Sequence, residues 1–184
     1  MVKAILEGRK TQTRRIIKPQ PTTAHFDTSA NPPTWYDGMK ELQCPYGKPG
    51  DHLWARETWQ RCPECGRVVY KASSNQNGKV CPNCDEWLGT WKPSIHMFRE
   101  YSRITLEVVA IRVERLNNIG EEDIRAEGTP TPNPPPNNWM DDSKWRATFA
   151  YLWDSINEKR GFGWDTNPFV WVVEFKRILT RPML

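Results

Sequence analysis

Apolar residues along this chain cluster into a few regular elements separated by long polar connections. Val2, Ile5 and Leu6 stand at i, i+3 and i+4, which predicts a short helix from Met1 to Leu6 stopped by Gly8. His52 to Gln60 alternates, with Leu53, Ala55 and Glu57 set against Trp54, Arg56 and Thr58, and reads as a strand. The strongest strand signal runs from Arg103 to Leu116. Ile104, Leu106 and Val108 share one face there, and the apolar phase then switches to Val109, Ile111 and Val113, as one extra residue at a β-bulge produces. Gly120 to Glu127 opens with acids and closes before Gly128, a one- to two-turn helix. Five prolines between Pro130 and Pro136 forbid its continuation. Trp145, Phe149, Leu152, Trp153 and Ile156 recur at helical spacing, so Ser143 to Lys159 is predicted as an amphipathic helix with Gly161 as its stop. Phe169 to Lys176 closes the pattern as a strand with Phe169, Trp171, Val173 and Phe175 on one side.

Between these elements the pattern fades. Pro19 to Pro49 is rich in Pro, Thr, Ser, Asn and Gly with scattered aromatics, and reads as a long ordered loop of functional type. Gly47 to Asp51 is a turn, Val68 to Tyr70 a short hairpin arm, and Trp91 to Arg99 irregular. No internal repeat is evident. With 184 residues, ten Trp, five Tyr and six Phe, the chain has the makings of one globular domain with an insertion and an aromatic core. No apolar run reaches the ~18 residues that span a bilayer, and no secretory leader is visible. A soluble protein of the cytoplasm is expected.

Cysteine spacing adds the sharpest chemical signal. Cys62 and Cys65 form one Cys-x-x-Cys pair and Cys81 and Cys84 a second, the arrangement of a four-cysteine zinc site. Two tight turns each offer two thiolates, Pro63, Pro82 and Gly66 suit those turns, and one tetrahedral Zn2+ per chain would tie them together. Four protein ligands leave no open coordination position, so the ion is expected to fold the insert and take no part in catalysis. Cys44 lies outside the pattern and reads as a partly buried free thiol.

Charge singles out the other end of the chain. Formal net charge is +4, yet Met1 to Lys18 alone carries +5, from Lys3, Arg9, Lys10, Arg14, Arg15 and Lys18 against Glu7. A patch this concentrated either steers phosphates or is a solvated surface face.

The stretch Ala4-Ile5-Leu6-Glu7-Gly8-Arg9-Lys10-Thr11-Gln12-Thr13-Arg14-Arg15 resembles the signature of the ASCH domain family. Gly47 to Glu57, Trp91 to Arg103 and the closing Phe169 to Phe175 are similar to later segments of the same family, most of all to phage and prophage members with a four-cysteine insert. The resemblance implies a PUA-like β-barrel and recognition of RNA, single-stranded nucleic acid or a modified nucleoside. One branch of the family removes the acetyl group from acetylcytidine, and its lysine, threonine and glutamate fall on Lys10, Thr13 and Glu127. In that chemistry Lys10, its charge disfavoured by burial and by Arg9, Arg14 and Arg15, takes a proton from Thr13. The Thr13 hydroxyl attacks an amide carbonyl, and Glu127 protonates the leaving amine.

Arg9, Arg14 and Arg15 are further ligand-binding candidates, and Arg56, Ser94, His96, Arg99, Ser102 and Arg103 would complete a basic concave site with Lys10. Trp54, Trp59, Trp87, Trp91 and Tyr101 offer stacking faces, although most tryptophans at regular spacing belong to a core. The expected architecture is α+β: a discontinuous PUA-like barrel over 1–60 and 92–184, interrupted by a zinc ribbon over 61–91. Nucleic-acid or nucleoside binding is the leading expectation, acylcytidine hydrolysis the second. A phage assembly role through a protein docked on the ribbon is the third, with no residue arguing for it.

Overall fold

The computed structural model describes residues 1–30, 32–74, 80–132 and 142–178. Helix α1 (Val2–Leu6) leads into strand β1 (Gln12–Ile16). Strands β2 (His25–Asp27), β3 (Thr34–Asp37) and β4 (Lys40–Leu42) follow, then β5 (His52–Trp54), β6 (Trp59–Arg61) and β7 (Val68–Tyr70). Strand β8 (Thr105–Arg115), helices α2 (Glu121–Ala126) and α3 (Asp142–Asn157) and strand β9 (Phe169–Ile178) complete the chain.

The main sheet is a curled antiparallel half-barrel of order β1-β9-β8-β5, in which β9 lies inside the sheet between β8 and the edge strand β1. Strand β9 is buried on both faces. Val170 and Val172 pack with Leu116, Ile119, Ile124, Phe149 and Trp153 under α2 and α3. Trp171 and Val173 pack on the opposite side with Ile17, Val108 and Val113, backed by Trp35, Leu42 and Tyr46. A central strand covered on both faces reads as a continuous apolar run, which FVWVVEF is. The β8–β9 register shifts between Val108 and Ala110. This is the bulge that the phase switch predicts, except that Val109 is itself the outward residue, 49% exposed, and Val113 carries the resumed buried face.

Four segments differ from the reading of the sequence. The stretch from Pro19 to Pro49 contains a three-stranded sheet, β2-β3-β4, held by cross-strand aromatic contacts: His25 stacks on Tyr36 and Phe26 packs against Trp35. Each strand has only three or four residues, too few for an alternation to register. The strand expected from His52 to Gln60 breaks into β5 and β6 because Glu57, 1% exposed, turns inward to Arg103. The basic stretch after Gly8, expected to follow the helix as a charged wall, forms the edge strand β1 with Gln12 and Arg14 buried. The helix expected to reach Lys159 ends at Asn157 and continues as a single 3-10 turn to the left-handed Gly161. Pro134, Pro135 and Pro136 of the proline run lie outside the described residues. Among the described residues no helix is long and apolar enough to cross a membrane.

Candidate functional site

In an antiparallel pair, residues facing each other across the strands share a face of the sheet. Gln12 and Arg14 of β1 oppose Glu174 and Val172 and therefore look toward the helices, whereas Thr13 and Arg15 oppose Val173 and Trp171 on the other face. A charged layer fills the helix side. Arg14, with no exposed side-chain surface, donates to Asp123 at 2.7 Å, to Glu114 at 3.1 Å and to Glu127 at 3.3 Å. Arg112 braces two of the same acids, Glu114 and Asp123, and also meets Glu174. Burial alone would push the Asp123 carboxyl up, but the guanidinium groups of Arg14 and Arg112 hold it below its ordinary value.

Lys10 sits beside this layer, 5% exposed. Its ammonium donates to the Glu127 backbone carbonyl at 2.7 Å and to the Glu127 carboxylate at 2.8 Å. Burial depresses its pKa below the usual lysine range; Glu127 opposes that shift, and Arg15 and Arg14 reinforce it. Helix α2 ends at Ala126 with Glu127 as its C-cap, and Gly128 follows at φ +72. A Cβ at Gly128 would stand 2.8 Å from Lys10 Cβ and 2.9 Å from Ala4 Cβ, so glycine lets the chain turn against the lysine.

A cavity of about 1410 Å³ opens between β1, α3 and the β3–β4 hairpin. Lys10, Thr13 and Glu127 all line it. Lys10 and Glu127 are in direct contact, whereas Thr13 belongs to the opposite face of β1 from Arg14, and among the described residues no hydrogen bond joins Thr13 to Lys10. Lys3, Arg9, Arg15, Lys18, Lys40 and Arg160 add positive charge to the lining, against Asp37 and Glu41 besides Glu127. Among the described residues no carboxylate lies within ion-pair distance of Lys3, Arg15, Lys18 or Lys40, while Arg9 is held by Glu7. Tyr46, Phe149, Trp153 and Trp171 supply aromatic wall. The cavity thus has an internally neutralised floor and a surround in which cations outnumber the acids Asp37 and Glu41.

The other expected ligand-binding residues are elsewhere. Arg14 lines the cavity, yet three carboxylates already occupy its guanidinium, so its role is to hold the charged layer together. Arg56, Ser94, His96, Arg99, Ser102 and Arg103 do not line the cavity. Arg103 forms a bidentate pair with buried Glu57, both bonds 2.9 Å, and Ser102 donates to the Ala55 and Ile104 carbonyls. Sequence reading missed the cavity walls from Lys40 to Tyr46 and from α3, which depend on tertiary packing. The one available signal was the mixture of aromatic and charged residues before Gly47.

The four cysteines form a separate candidate metal centre. Their sulfurs all lie within 4.8 Å of one another, with Cys62–Cys84 at 3.5 Å and Cys65–Cys81 at 3.8 Å. A tetrahedral ion with bonds of about 2.3 Å to sulfur requires sulfurs roughly 3.8 Å apart, so the donor set fits. The two turns are copies of each other. In the first, the Cys62 N–H donates to Arg67 O and Cys62 O accepts from Gly66; in the second, the Cys81 N–H donates to Glu86 O and Cys81 O accepts from Asp85. Gly66 and Asp85 hold the same position at φ +69 and +57, and Val69 and Leu88 hold equivalent buried positions. This structural repeat corrects the expectation of none; beyond Cys-Pro-x-Cys the two copies share no residues that would announce it. Burial would raise the Cys81 thiol, but the Asn83 backbone and the Cys84 side chain outweigh it and draw it down to about 7. Despite the Glu86 backbone hydrogen bond, burial and the neighbouring thiols push Cys84 up to about 12. Four adjacent sulfurs resist becoming four thiolates unless a cation joins them. Backbone hydrogen bonds between Trp59 and Lys92 close the base of the lobe. Cys44 stays apart, a half-buried thiol raised by burial.

No protein-family profile matches the chain. A 26-residue stretch is 54% identical to the acetyl-coenzyme A carboxylase carboxyl transferase subunit beta of Prochlorococcus marinus, in strains MIT 9303 and MIT 9313 alike. The match is zinc-ribbon-like and covers 14% of this chain and 9% of the carboxylase subunit, so it speaks only for that stretch. No solved structure matches.

Proposed function

We propose that the cavity beside Lys10 receives a segment of nucleic acid or a modified nucleoside, on a PUA-like scaffold of ASCH type whose four-cysteine lobe holds zinc. The observation that carries the reading is the distribution of charge: Lys10 and Arg14 are neutralised by acids on the floor, while Lys3, Arg15, Lys18 and Lys40 surround the opening unpaired. A neutral floor with aromatic walls suits a base, and the outer cations suit its phosphates. Fluorescence anisotropy with a labelled single-stranded RNA or DNA oligonucleotide tests this. Affinity should fall linearly on a log–log plot against salt, by about 0.7 for each phosphate contacted. Arg15→Glu, at an exposed position, should weaken binding by about tenfold or more and flatten that slope. Binding that ignores salt and Arg15, or no binding of oligonucleotide or nucleoside, would refute the reading.

The depressed Lys10 favours a second reading, amide hydrolysis on an N-acylated cytidine. Neutral Lys10 would accept the Thr13 hydroxyl proton as Thr13 Oγ1 bonds to the acyl carbon, and Glu127 would protonate the departing exocyclic amine; water then cleaves the threonine ester. Burial lowers the lysine from 10.5, so its neutral form gains population as pH rises toward that value. Acetylcytidine turnover should therefore climb with pH and level off below 10.5, and Lys10→Ala should abolish it. Turnover that persists in Lys10→Ala, or none in the wild type, removes this second reading and leaves the binding proposal standing.

A further inference from the structure

We propose a second contact surface for single-stranded nucleic acid, on the segment between the four-cysteine lobe and β8, centred on the outward side chains of Ile95, Phe98 and Arg99. None of these residues lines the cavity, so the surface stands independently of the cavity's reading.

The local fold explains why two large apolar side chains face water. Ser94–His96 and Arg99–Tyr101 are 3-10 turns, joined through Met97 and Phe98. Met97 is 4% exposed, and its sulfur accepts the Glu57 N–H at 3.1 Å. Tyr101 packs on the buried Trp59 with ring centres 4.9 Å apart. These two inward anchors leave Ile95 and Phe98 on the outside, 68% and 61% exposed. Phe98 is not loose: its ring meets Tyr101 edge-on at 5.6 Å and Trp59 at 6.4 Å, so two aromatic neighbours brace it while the remainder faces solvent. A braced, exposed ring loses little conformational freedom when something stacks on it.

Cations frame the ring. Arg56 donates to the Ile95 carbonyl at 3.2 Å and lies over Trp54. Lys92 lies 5.0 Å above the centre of Trp59, and exposed Arg99 follows Phe98 in the chain. Among the described residues no carboxylate is within ion-pair distance of Arg56, Lys92 or Arg99, and the nearby buried acid, Glu57, is committed to Arg103. Glu100 is the one exposed acid within the segment itself. Arg56, Lys92 and Arg99 outnumber that one acid, and the net positive charge selects an anionic partner. The apolar part, two side chains, is far smaller than the core of a standard protein interface of roughly 1,600 Å². Bases stacking on a braced ring while guanidinium and ammonium groups take the phosphates is the combination that fits.

Anisotropy titration of the 184-residue protein with a fluorescein-labelled oligouridine tests the assignment, using Phe98→Ala, Arg99→Glu and, as the cavity control, Arg15→Glu. Loss of one stacking platform corresponds to a weakening of about fivefold or more. Phe98→Ala and Arg99→Glu should each show it, with a far-ultraviolet spectrum like that of the wild type, and Arg99→Glu should also reduce the salt slope. If both variants bind as the wild type does, the surface is not a nucleic-acid site, whatever Arg15→Glu does. If Arg15→Glu alone is without effect, the cavity reading fails and this one holds. Pelleting with phosphatidylserine vesicles that depends on Phe98, together with unchanged oligouridine binding, would overturn the proposal in favour of a membrane surface.

Discussion

Replacing Cys81 with serine is expected to release the bound metal and unfold the lobe between Trp59 and Lys92 while the main sheet persists. Cys81 is fully buried, and its sulfur belongs to a cluster that closes on itself within 4.8 Å. Apart from the cysteines, the core of the lobe among the described residues amounts to Val69 and Leu88 with Trp91 packed against them, too little to stabilise an independent fold. Structural zinc supplies on the order of 10–16 kcal/mol at neutral pH, which is then folding free energy for the lobe. Metal analysis of the wild type should give one zinc per chain, and Cys81→Ser or a strong chelator should remove it. Hydrogen exchange would show protection lost across β6, β7 and the second turn but retained in β8 and β9, whose long ladder is independent of the lobe. Full protection of the lobe in metal-free protein would contradict this account.

Arg14→Ala should be the most damaging substitution in the main domain. The side chain is wholly buried and answers three carboxylates on two different elements, Glu114 on β8 and Asp123 and Glu127 on α2 and its end. Removing one partner of a buried ionic cluster leaves the others desolvated and uncompensated, at a cost of about 3–5 kcal/mol. Arg14→Lys should recover little of this, because one ammonium cannot reproduce the planar fork that reaches three acids. The pH dependence follows from Asp123. Its pKa is depressed in the folded state, so its contribution is present above the ordinary carboxylate value of 3.8 and is lost as pH falls through the lower folded value. Arg14→Ala removes a main cause of that depression, so the variant should lose less additional stability on acidification than the wild type. Urea titrations at neutral and acidic pH would check both statements; a cost below about 1 kcal/mol would mean that Arg112 alone sustains the layer.

The contrast between Arg14 and the cysteines explains what could be read from the chain before folding. The quartet is a local pattern whose chemistry fixes its geometry, and β8, β9 and α3 announce themselves through periodic apolar residues. The bulge in β8 was visible because its register slip moves the apolar set to the other face, although Val109 turned out to be the displaced residue itself. Arg14 had no such signature. A run of Thr-Arg-Arg suggests solvent, and its burial depends on acids about a hundred or more positions away in the sequence that meet it only when β1 pairs with β9. Thr13 shows the same limit from another side: three residues after Lys10, it sits on the face of β1 turned away from Arg14, and only the cavity's reach around the edge strand includes both. The β2–β4 sheet escaped notice because its strands are short and its stability comes from cross-strand aromatic contacts, which no single strand displays.

Photocrosslinking would locate a nucleic-acid base that enters the cavity next to Lys10. A single-stranded RNA carrying 4-thiouridine would be irradiated with the protein and the adducts located by mass spectrometry. The account predicts adducts on the cavity wall, in β1 or at Tyr46, that disappear in Arg15→Glu, with any further set confined to the Ile95–Arg99 surface. Adducts found only outside the cavity, or unchanged by Arg15→Glu, would contradict it.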